Sequence, residues 1–387
     1  MKIKVGIIGV GTIGTAHAGT IHAGKIDGME LGALCDTDKE RIAVLKREYP
    51  FVPVFNSADE LIKSGLVDAV IISTPHYFHP TIALNALENG LHVLSEKPIG
   101  VYTYGMEKLF SAHKKSGKIF AVMLNQRTNK LFKEAKRIID SGELGKIKRS
   151  VWIITNWYRT QAYYDSGLWR GTWQGEGGGV LMNQAPHNLD IWQWLCGMPS
   201  SIYATCNAGK YHSVEVEDEA TLLAEYENGA SGVFITTTGD PAGVNRLEIT
   251  GTKGRIVLEK GTLIQQIFSD DEEKLTRGEC EKIEITERVV HDEDYNGHEI
   301  ILQNFANAVL NGETLISPAA DAINELVICN AAYLSAWKGE KISLPLNEQE
   351  YLGKLKERIG NSKNAKSQDK APNLFENSYL SRWNTNW

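Results

Sequence analysis

The chain has 387 residues, of which 42% are hydrophobic and 23% are charged, and it carries a formal net charge of −7 at pH 7. These values predict a water-soluble globular protein with a packed core, and the length favours two domains. The modest negative charge, spread along the chain without a basic stripe, argues against nucleic acid or an anionic membrane surface as a partner.

Two features of the sequence bear on the cellular compartment of the protein. The first eighteen residues resemble a secretory leader, with Lys2 and Lys4 before an apolar run, but they also fit a strand followed by a glycine turn, which we favour. The five cysteines are widely spaced and include no CxxC pair, so neither a disulfide framework nor a zinc site is indicated. No apolar run approaches the ~20 residues of a membrane helix, so we expect a cytoplasmic protein.

The first third of the chain alternates short β-branched runs with helical segments. Runs such as AVIIS are apolar throughout, as in strands covered by helices on both faces. The predicted strands are Ile3 to Ile8, Glu30 to Cys35, Ala69 to Ser73, His92 to Ser95 and Ile119 to Met123. The predicted helices are Ile13 to Ala23, Lys39 to Glu48, Ala58 to Ser64, Pro80 to Asn89 and Tyr102 to Ser116. This alternation predicts a doubly wound parallel sheet, the Rossmann type of α/β fold.

Beyond Leu144 the pattern changes to alternating strand-like segments separated by turns such as Asn228-Gly229. Helical patterns return at Glu299 to Leu310 and at Pro318 to Trp337. This order predicts an α+β domain with a large, mostly antiparallel open sheet. We expect domains at 1–124 and 125–345, then a helix, a polar linker and an aromatic tail in 346–387. The tail either frays or docks on a neighbouring subunit.

Gly9-Val10-Gly11-Thr12-Ile13-Gly14 follows the first predicted strand and opens a helical segment. In a GxGxxG turn the first glycine permits the tight bend, the second lets the backbone approach a pyrophosphate, and the third lets the helix pack on the sheet. The helix N-terminus offers free N–H groups to the phosphates. Such turns also serve purely structural ends, but the strand before and the helix after favour dinucleotide binding.

Asp36 ends the second predicted strand, 22 residues after Gly14. An acidic side chain there accepts hydrogen bonds from the adenosine ribose and repels a 2′-phosphate, and Thr37 rather than an arginine follows it. The sequence therefore favours NAD over NADP. Asp36 could also cap the helix predicted from Lys39, and one side chain can serve both purposes.

Two polar motifs, STPHYFHP and HVLSEKP, follow later strands at the edge where open parallel sheets bind ligands. The order of GVGTIG, Asp36, STPHYFHP, SEKP, GEGGGVLMNQAPHNLDIWQWL and GTKGR resembles the Gfo/Idh/MocA oxidoreductase family, the relatives of glucose-fructose oxidoreductase and inositol dehydrogenase. The resemblance covers residues 1 to about 340. Each motif alone is unspecific, whereas their combination is highly specific.

The resemblance implies a Rossmann domain and a second domain whose open sheet forms one wall of the substrate site and an oligomer interface. It places Lys97 beside the nicotinamide and the substrate hydroxyl, where an ammonium group stabilises a developing alkoxide. It also implies a cis bond before Pro98, as in relatives. The cofactor residues predicted from the turn and the resemblance are Gly9, Gly11, Thr12, Ile13, Gly14, Asp36, Thr37, Ser73, Thr74, Pro75, His79, Glu96, Lys97, Asn125, Trp169 and Arg170.

Asn183, His187 and Asp190 follow a run of three glycines that lets the chain approach the cofactor. Their spacing places them on one helical face, although Pro186 must interrupt that helix. Imidazole ordinarily titrates near neutrality, so His187 is the expected general base; the alternative is a buried histidine bonded to Asp190. The resemblance favours a catalytic role for Lys97, His187, Asn183 and Asp190. Many relatives carry Asp where this chain has Asn183, and an amide neither takes a proton nor carries charge.

The segment NWYRTQAYYDSGLWRGTW is rich in aromatic and polar side chains. Aromatic faces stack on sugar rings while polar groups bond hydroxyls, so a carbohydrate site is predicted, with core or interface packing as the alternative. The predicted substrate residues are Lys97, Asn156, Trp157, Tyr158, Arg159, Tyr163, Trp173, Asn183, His187 and Tyr295. The histidines at 76, 79 and 92 form no tight cluster with cysteines or carboxylates, so no catalytic metal is expected.

Together these features favour NAD-dependent oxidation of a secondary ring hydroxyl, at C3, of a hexopyranose or its glycoside by a homo-oligomer. One alternative is a myo- or scyllo-inositol dehydrogenase. Another is an NAD-dependent glycoside hydrolase that oxidises transiently, eliminates and re-reduces. The last alternative is a non-catalytic redox sensor or binding module, and the retention of both Lys97 and His187 argues against it. The expected partner is a small sugar, glycoside or cyclitol, not a nucleic acid or a membrane.

Overall fold

The computed structural model describes residues 2–293 and 295–362, and these residues divide into two compact units. Unit 1 comprises the described residues up to Thr128 together with Asn296–Leu326. Unit 2 comprises Asn129–Tyr295 and the described residues from Val327 onward. Of the predicted linker, only its first two residues, Asn361 and Ser362, are described. The rest of the linker and the aromatic tail lie outside the described residues.

The strands coincide with runs of β-branched and other apolar residues. They are β1 (Ile3–Ile8), β2 (Met29–Cys35), β3 (Val54–Phe55), β4 (Ala69–Ile72), β5 (His92–Ser95), β6 (Phe120–Val122), β7 (Ile147–Ile154), β8 (Ser201–Ala208), β9 (Glu217–Glu225), β10 (Ser231–Thr237), β11 (Asn245–Gly251), β12 (Gly254–Glu259), β13 (Thr262–Phe268), β14 (Ile285–His291) and β15 (Ile342–Ser343).

The helices begin mostly at residues whose side chains cap free N–H groups, such as Asn129, which accepts hydrogen bonds from Leu131 N and Phe132 N. They are α1 (Thr12–His22), α2 (Lys39–Glu48), α3 (Ala58–Lys63), α4 (His79–Glu88), α5 (Met106–Ser116), α6 (Lys130–Asp140), α7 (Gln161–Asp165), α8 (Val180–Asn183), α9 (Pro186–Cys196), α10 (Glu272–Thr276), α11 (Gly297–Asn311), α12 (Ala319–Lys338) and α13 (Glu348–Gly360).

Unit 1 contains a parallel six-stranded sheet in the order β3-β2-β1-β4-β5-β6. The strand order reverses between β1 and β4, and open sheets of this kind bind ligands in the crevice at that point. Val5 and Ile71, on these two strands, are fully buried in a core that also includes Phe305 of α11. The predicted parallel Rossmann sheet is confirmed.

Unit 2 contains a nine-stranded sheet in the order β14-β13-β12-β11-β7-β10-β9-β8-β15. All of its pairings are antiparallel except that of β7 with β10. Large apolar side chains on one face, Trp152 and Phe234 among them, are fully buried, and the ring of Trp192 from α9 packs on Phe234. The mostly antiparallel second sheet is therefore also confirmed.

One helix boundary in unit 2 bears on the site predictions. The interruption predicted at Pro186 is present, because α8 ends at Asn183 and α9 begins at Pro186, so Asn183 and His187 lie on different helices. Proline has no N–H to donate to the preceding turn, so it starts a helix rather than continuing one. Along the described residues, no helix combines the length and apolarity that crossing a membrane requires.

Candidate active site

The glycine turn of unit 1 has the shape that a pyrophosphate requires. Gly9 has a φ of +87°, and a Cβ there would lie 2.7 Å from Thr74 N. A Cβ on Gly14 would lie 2.1 Å from Gly9 O, so only glycine lets α1 start this close to β1. The first turn of α1 carries neither an acidic residue nor a side-chain cap within the described part of the chain, so its N–H groups can receive an anion.

Asp36 faces this turn. Its carboxylate accepts hydrogen bonds from Val10 N at 2.8 Å and Asp38 N at 3.0 Å. The side chain that caps α2 is Asp38, so the possible second purpose of Asp36 as a helix cap is wrong. Arg41 Nη1 lies 3.6 Å from Asp36 Oδ2, a neighbour that the sequence prediction missed by considering only Thr37.

Side chains that follow β4 tie the turn to the neighbouring loops. Ser73 Oγ donates a hydrogen bond to Gly9 O at 2.7 Å. The imidazole of His79 is buried, and its Nδ1 and Nε2 lie 2.8 and 2.7 Å from the carbonyl oxygens of Pro98 and Thr74. His79 therefore connects the loop after β4 to the loop after β5 and supports the cofactor site through the backbone.

Glu96 and Lys97 directly follow β5, and the peptide bond between Lys97 and Pro98 is cis, as predicted. The Glu96 carboxylate is buried and lies 2.8 Å from His17 Nε2. Burial alone would raise the pKa of Glu96, but the hydrogen bond and charge of His17, with His298 and Lys97, lower it to about 2. Burial lowers the pKa of His298 to about 4. The ionised carboxylate of Glu96 therefore lies beside the Lys97 backbone and accepts a hydrogen bond from Lys97 N at 3.3 Å.

Asn125 follows β6 and contributes a buried amide. Its Nδ2 donates to His298 Nδ1 at 3.2 Å, while its Oδ1 is a buried acceptor that has no partner among the described residues. Thr74 Oγ1 is likewise a buried polar atom without a partner in that part of the chain. Buried polar atoms in native sites are satisfied by protein, water or ligand, so this edge of the sheet fits a polar ligand such as NAD.

Unit 2 contains a polar cluster around the phenol oxygen of Tyr163. Arg170 Nη1 donates to this oxygen at 2.5 Å, and Asn183 Nδ2 and Gln184 Nε2 each donate at 3.2 Å. The Arg170 guanidinium also lies 4.4 Å from the ring centres of Tyr163 and Trp169. Four of the predicted cofactor and substrate residues thus lie together in this unit: Tyr163, Trp169, Arg170 and Asn183.

A buried carboxylate, Glu176, completes this cluster and was not predicted. Its Oε2 accepts a hydrogen bond from Gly171 N at 2.6 Å, and its Oε1 accepts one from Asn183 Nδ2. Glu176 is only 1% exposed. Its place beside the glycine run was visible in the sequence, but its contact with Asn183 depends on how the intervening turn folds.

His187 and Asp190 lie on α9 and are both buried, with Asp190 fully so. Asp190 accepts a hydrogen bond from Gln193 Nε2 at 3.1 Å. The neighbouring Asn188 accepts one from Trp157 Nε1 at 3.1 Å, which ties the aromatic segment to this helix. Unit 2 therefore bonds Trp157 to the helix that carries His187, while the Tyr163 cluster forms its own set of hydrogen bonds at the end of α8.

Glu217 explains the glycine run. Its carboxylate accepts hydrogen bonds from Gly179 N and Leu181 N, each at 2.9 Å, and from Tyr333 Oη at 2.8 Å. A Cβ on Gly179 would lie 1.8 Å from Glu217 O, and one on Gly178 would lie 2.1 Å from Tyr333 Oη. Within unit 2 these glycines allow α8 to approach β9 and α12, a reason other than the predicted approach to the cofactor.

The remaining predicted substrate residues differ in their surroundings. Tyr158 is exposed, and Arg159 donates to the carbonyl oxygens of Trp157 and Tyr158. Trp173 is buried and packs edge-on against Tyr333 and Trp337, as a core aromatic does. Asn156 is half-buried, two residues after the end of β7. Burial raises the pKa of Tyr295 to about 12.

No group of three histidine, cysteine or carboxylate side chains suited to a metal ion occurs within residues 2–293 and 295–362. The five cysteines are free thiols. Sequence reasoning missed Glu176, Glu217 and Arg41 as members of the site regions. Each contributes through a contact that only the folded chain shows: Glu217 with Leu181, Glu176 with Asn183, and Arg41 with Asp36.

Comparison with known proteins gives concordant results for both parts of the chain. Residues 3–124 match the family described as "Oxidoreductase family, NAD-binding Rossmann fold", and residues 132–257 match "GFO/IDH/MocA C-terminal domain". The scyllo-inositol 2-dehydrogenase (NAD(+)) of Bacillus subtilis strain 168 is 27% identical over 346 residues, which cover 85% of this chain and 92% of that protein. Levoglucosan dehydrogenase of Pseudarthrobacter phenanthrenivorans is 26% identical, with 62% and 68% covered.

Among solved structures, the WlbA dehydrogenase from Bordetella pertussis in complex with NADH and UDP-GlcNAcA has a TM-score of 0.75 and 26% sequence identity. The match covers 90% of this chain and 100% of that one. The likeness therefore extends over both units and is not limited to the dinucleotide-binding half.

Proposed function

The chain belongs to the Gfo/Idh/MocA oxidoreductase family and has an NAD-binding Rossmann domain, and from that premise we propose that it oxidises a secondary ring hydroxyl of a hexopyranose or its glycoside, at C3, to a keto-sugar. The observation that carries the choice of a sugar is the cluster in unit 2, where hydrogen-bond donors and aromatic rings occur side by side. Tyr163, Arg170 and Asn183 supply the polar groups, and Trp169 supplies a ring. Sugar-binding sites combine these two chemistries.

Bound NAD would supply the acceptor for the hydride of the carbinol carbon. Lys97 donates a hydrogen bond to the substrate oxygen and stabilises the negative charge that develops there as its proton departs. His187 takes that proton, so the carbinol group loses one hydride from its carbon and one proton from its oxygen. Asn183 and Asp190 serve as hydrogen-bonding partners on the His187 side.

Cofactor choice rests on Asp36. Its carboxylate is fixed by two backbone N–H groups, so it faces the ribose site with little freedom and repels a 2′-phosphate. Arg41 partly offsets this repulsion, since its guanidinium lies 3.6 Å away. We therefore expect NAD to be used more efficiently than NADP, with measurable NADP use.

The experiment that tests the proposal is a screen of hexopyranoses, their glycosides and inositols with NAD or NADP, in which reduced cofactor is measured by absorbance. Turnover of glucosides that is abolished in Lys97→Ala and His187→Ala supports the proposal. Reduction of NAD with inositols alone contradicts the choice of a hexopyranose. Release of an aglycone without net NADH contradicts simple oxidation and indicates a hydrolase that re-reduces its intermediate.

A second candidate is oxidation of an inositol. It is favoured by the similarity to a scyllo-inositol 2-dehydrogenase over 85% of this chain. The chemistry and the roles of Lys97 and His187 are the same, and the screen distinguishes the two substrates.

We also propose that the protein is a homo-oligomer that associates through the open face of the unit 2 sheet. Tyr203, Leu223, Val233 and Val151 occupy paired positions on β8, β9, β10 and β7, and their neighbours along each strand point to the buried face. Leu223 is 50% exposed and Tyr203 is 40% exposed. A Leu223→Asp variant that sediments as a smaller species than wild type supports this proposal, and an unchanged monomeric mass of both contradicts it.

A further inference from the structure

Asn183 is held by the carboxylate of Glu176, which the sequence analysis did not predict as a site residue. The Oε1 atom of Glu176 accepts a hydrogen bond from Asn183 Nδ2, and the Oε2 atom accepts one from Gly171 N at 2.6 Å. Because both oxygens of the Glu176 carboxyl group act as acceptors, they fix which end of the amide faces them. The nitrogen of Asn183 is turned toward Glu176, and its Oδ1 lies on the opposite side of the amide group.

The second N–H of the same amide has a partner as well. Asn183 Nδ2 donates to Tyr163 Oη at 3.2 Å, and Gln184 Nε2 donates to that oxygen at the same distance. Asn183 is the last residue of α8 and Gln184 follows it, four and three residues before His187. The network therefore fixes the backbone just before the turn that carries the imidazole.

This arrangement explains why position 183 is an amide. An aspartate in the same place would bring two carboxylates to hydrogen-bond distance in a site where Glu176 is only 1% exposed. Like charges so close cannot both ionise without a large cost, and one would take up a proton. The pair can hold one negative charge and one amide, but not two negative charges.

We propose that Glu176 is a positioning residue of the dehydrogenase reaction, which acts through Asn183 to present the amide oxygen to substrate hydroxyls and to hold the turn before His187. The inference rests on the proposed function, because it assigns Asn183 to the substrate side of the site. Glu176 itself touches neither substrate nor cofactor. It supplies the single negative charge of the pair, and Asn183 supplies the donor that matches it.

Exchanging the two groups tests the proposal. Asn183→Asp alone should lower kcat/KM for the sugar by about 100-fold at alkaline pH, because the new carboxylate would face the carboxylate of Glu176 at hydrogen-bond distance. The loss should shrink as the pH falls, since one proton shared by the two carboxyls restores a donor. The double variant Glu176→Gln/Asn183→Asp reverses donor and acceptor, and should recover to within about 10-fold of wild type with little pH dependence. KM for NAD should stay unchanged in all three proteins.

Thermal melting provides a readout that does not depend on turnover. Asn183→Asp should lower the melting temperature by about 5 °C or more at alkaline pH, and the added Glu176→Gln should restore most of it. Asn85→Asp is the matched control, because Asn85 Nδ2 donates to Asp59 Oδ1 at 3.1 Å on the exposed surface of unit 1. There solvent screens the added charge, and neither melting nor turnover should change by much.

The outcomes separate the two proposals. A double variant no better than Asn183→Asp in turnover and in melting overturns the pairing of Glu176 with Asn183. Recovery of melting without recovery of turnover overturns the role of Glu176 in the reaction. A wild-type protein that reduces neither cofactor with any sugar or cyclitol overturns the proposed function and the reaction role together, while the melting cycle still decides whether the two side chains share one charge.

Discussion

Glu217→Gln should remove a pH dependence that the wild-type protein carries in its free energy of unfolding. Burial raises the pKa of Glu217 from 4.5 to about 7, although Leu181 N, Tyr333 Oη and Gly179 N donate hydrogen bonds that favour the ionised form. The folded protein therefore keeps a proton on this carboxyl over a pH range in which the unfolded chain has lost it.

The sign follows from which state ionises first. Below pH 4.5 the carboxyl is protonated in both states, and its contribution to stability is fully present. As the pH rises through about 7 the unfolded chain ionises before the folded protein, so that contribution is lost. The interval from 4.5 to about 7 corresponds to about 3 kcal/mol, at about 1.4 kcal/mol for each pKa unit.

Urea unfolding of wild type and Glu217→Gln at about pH 5 and about pH 8 measures this contribution. Glutamine has one acceptor oxygen instead of two, so at about pH 5 the variant should be less stable than wild type by about 1 kcal/mol. Relative to wild type it should gain up to about 3 kcal/mol between the two. Glu227→Gln, an exposed position of the same unit, is the control and should show no such gain. A difference between Glu217→Gln and wild type that is the same at both pH values would refute the reasoning.

Two further predictions concern the cofactor side. Gly14→Ala should weaken NADH binding by more than about 10-fold in a fluorescence titration, because its Cβ would lie 2.1 Å from a carbonyl oxygen, whereas Gly19→Ala on the same helix meets nothing within 4 Å and should bind normally. Asp36→Ala should raise KM for NAD by about 10-fold and improve NADP use, because Arg41 then faces a 2′-phosphate without its carboxylate neighbour. Adding Arg41→Ala should abolish the gain with NADP, and a gain that persists would contradict the role given to that guanidinium.

The parallel sheet was predictable because its strands are continuous apolar runs, and each predicted strand overlaps an observed one. Glu30 to Cys35, for example, was predicted where β2 runs from Met29 to Cys35. Strands β13 and β14 were not predicted. Their sequences TLIQQIF and ITERVVH mix polar side chains with apolar ones because both lie at the outer end of the sheet. At such edges less apolar surface is buried, so the sequence signal weakens.

The site was predictable where a motif is local and unpredictable where a contact is long-range. The glycine turn and Asp36 are close in sequence, so their geometry follows from one strand–turn–helix unit. Glu217 lies 36 residues beyond Leu181, whose N–H it accepts, and no spacing rule connects them. Asn183 could be identified as a departure from relatives, but the reason for the amide is visible only when Glu176 is placed against it.

The most direct test of the central claim follows the hydrogen that moves. A glucoside deuterated at C3 is incubated with the protein and NAD, and the reduced nicotinamide is examined by mass spectrometry. The account predicts that deuterium appears in the cofactor with wild type and that the amount formed collapses in Lys97→Ala. Reduced cofactor without deuterium would show that another carbon is oxidised, and absence of reduced cofactor across sugars and cyclitols would contradict the assignment of this protein as their dehydrogenase.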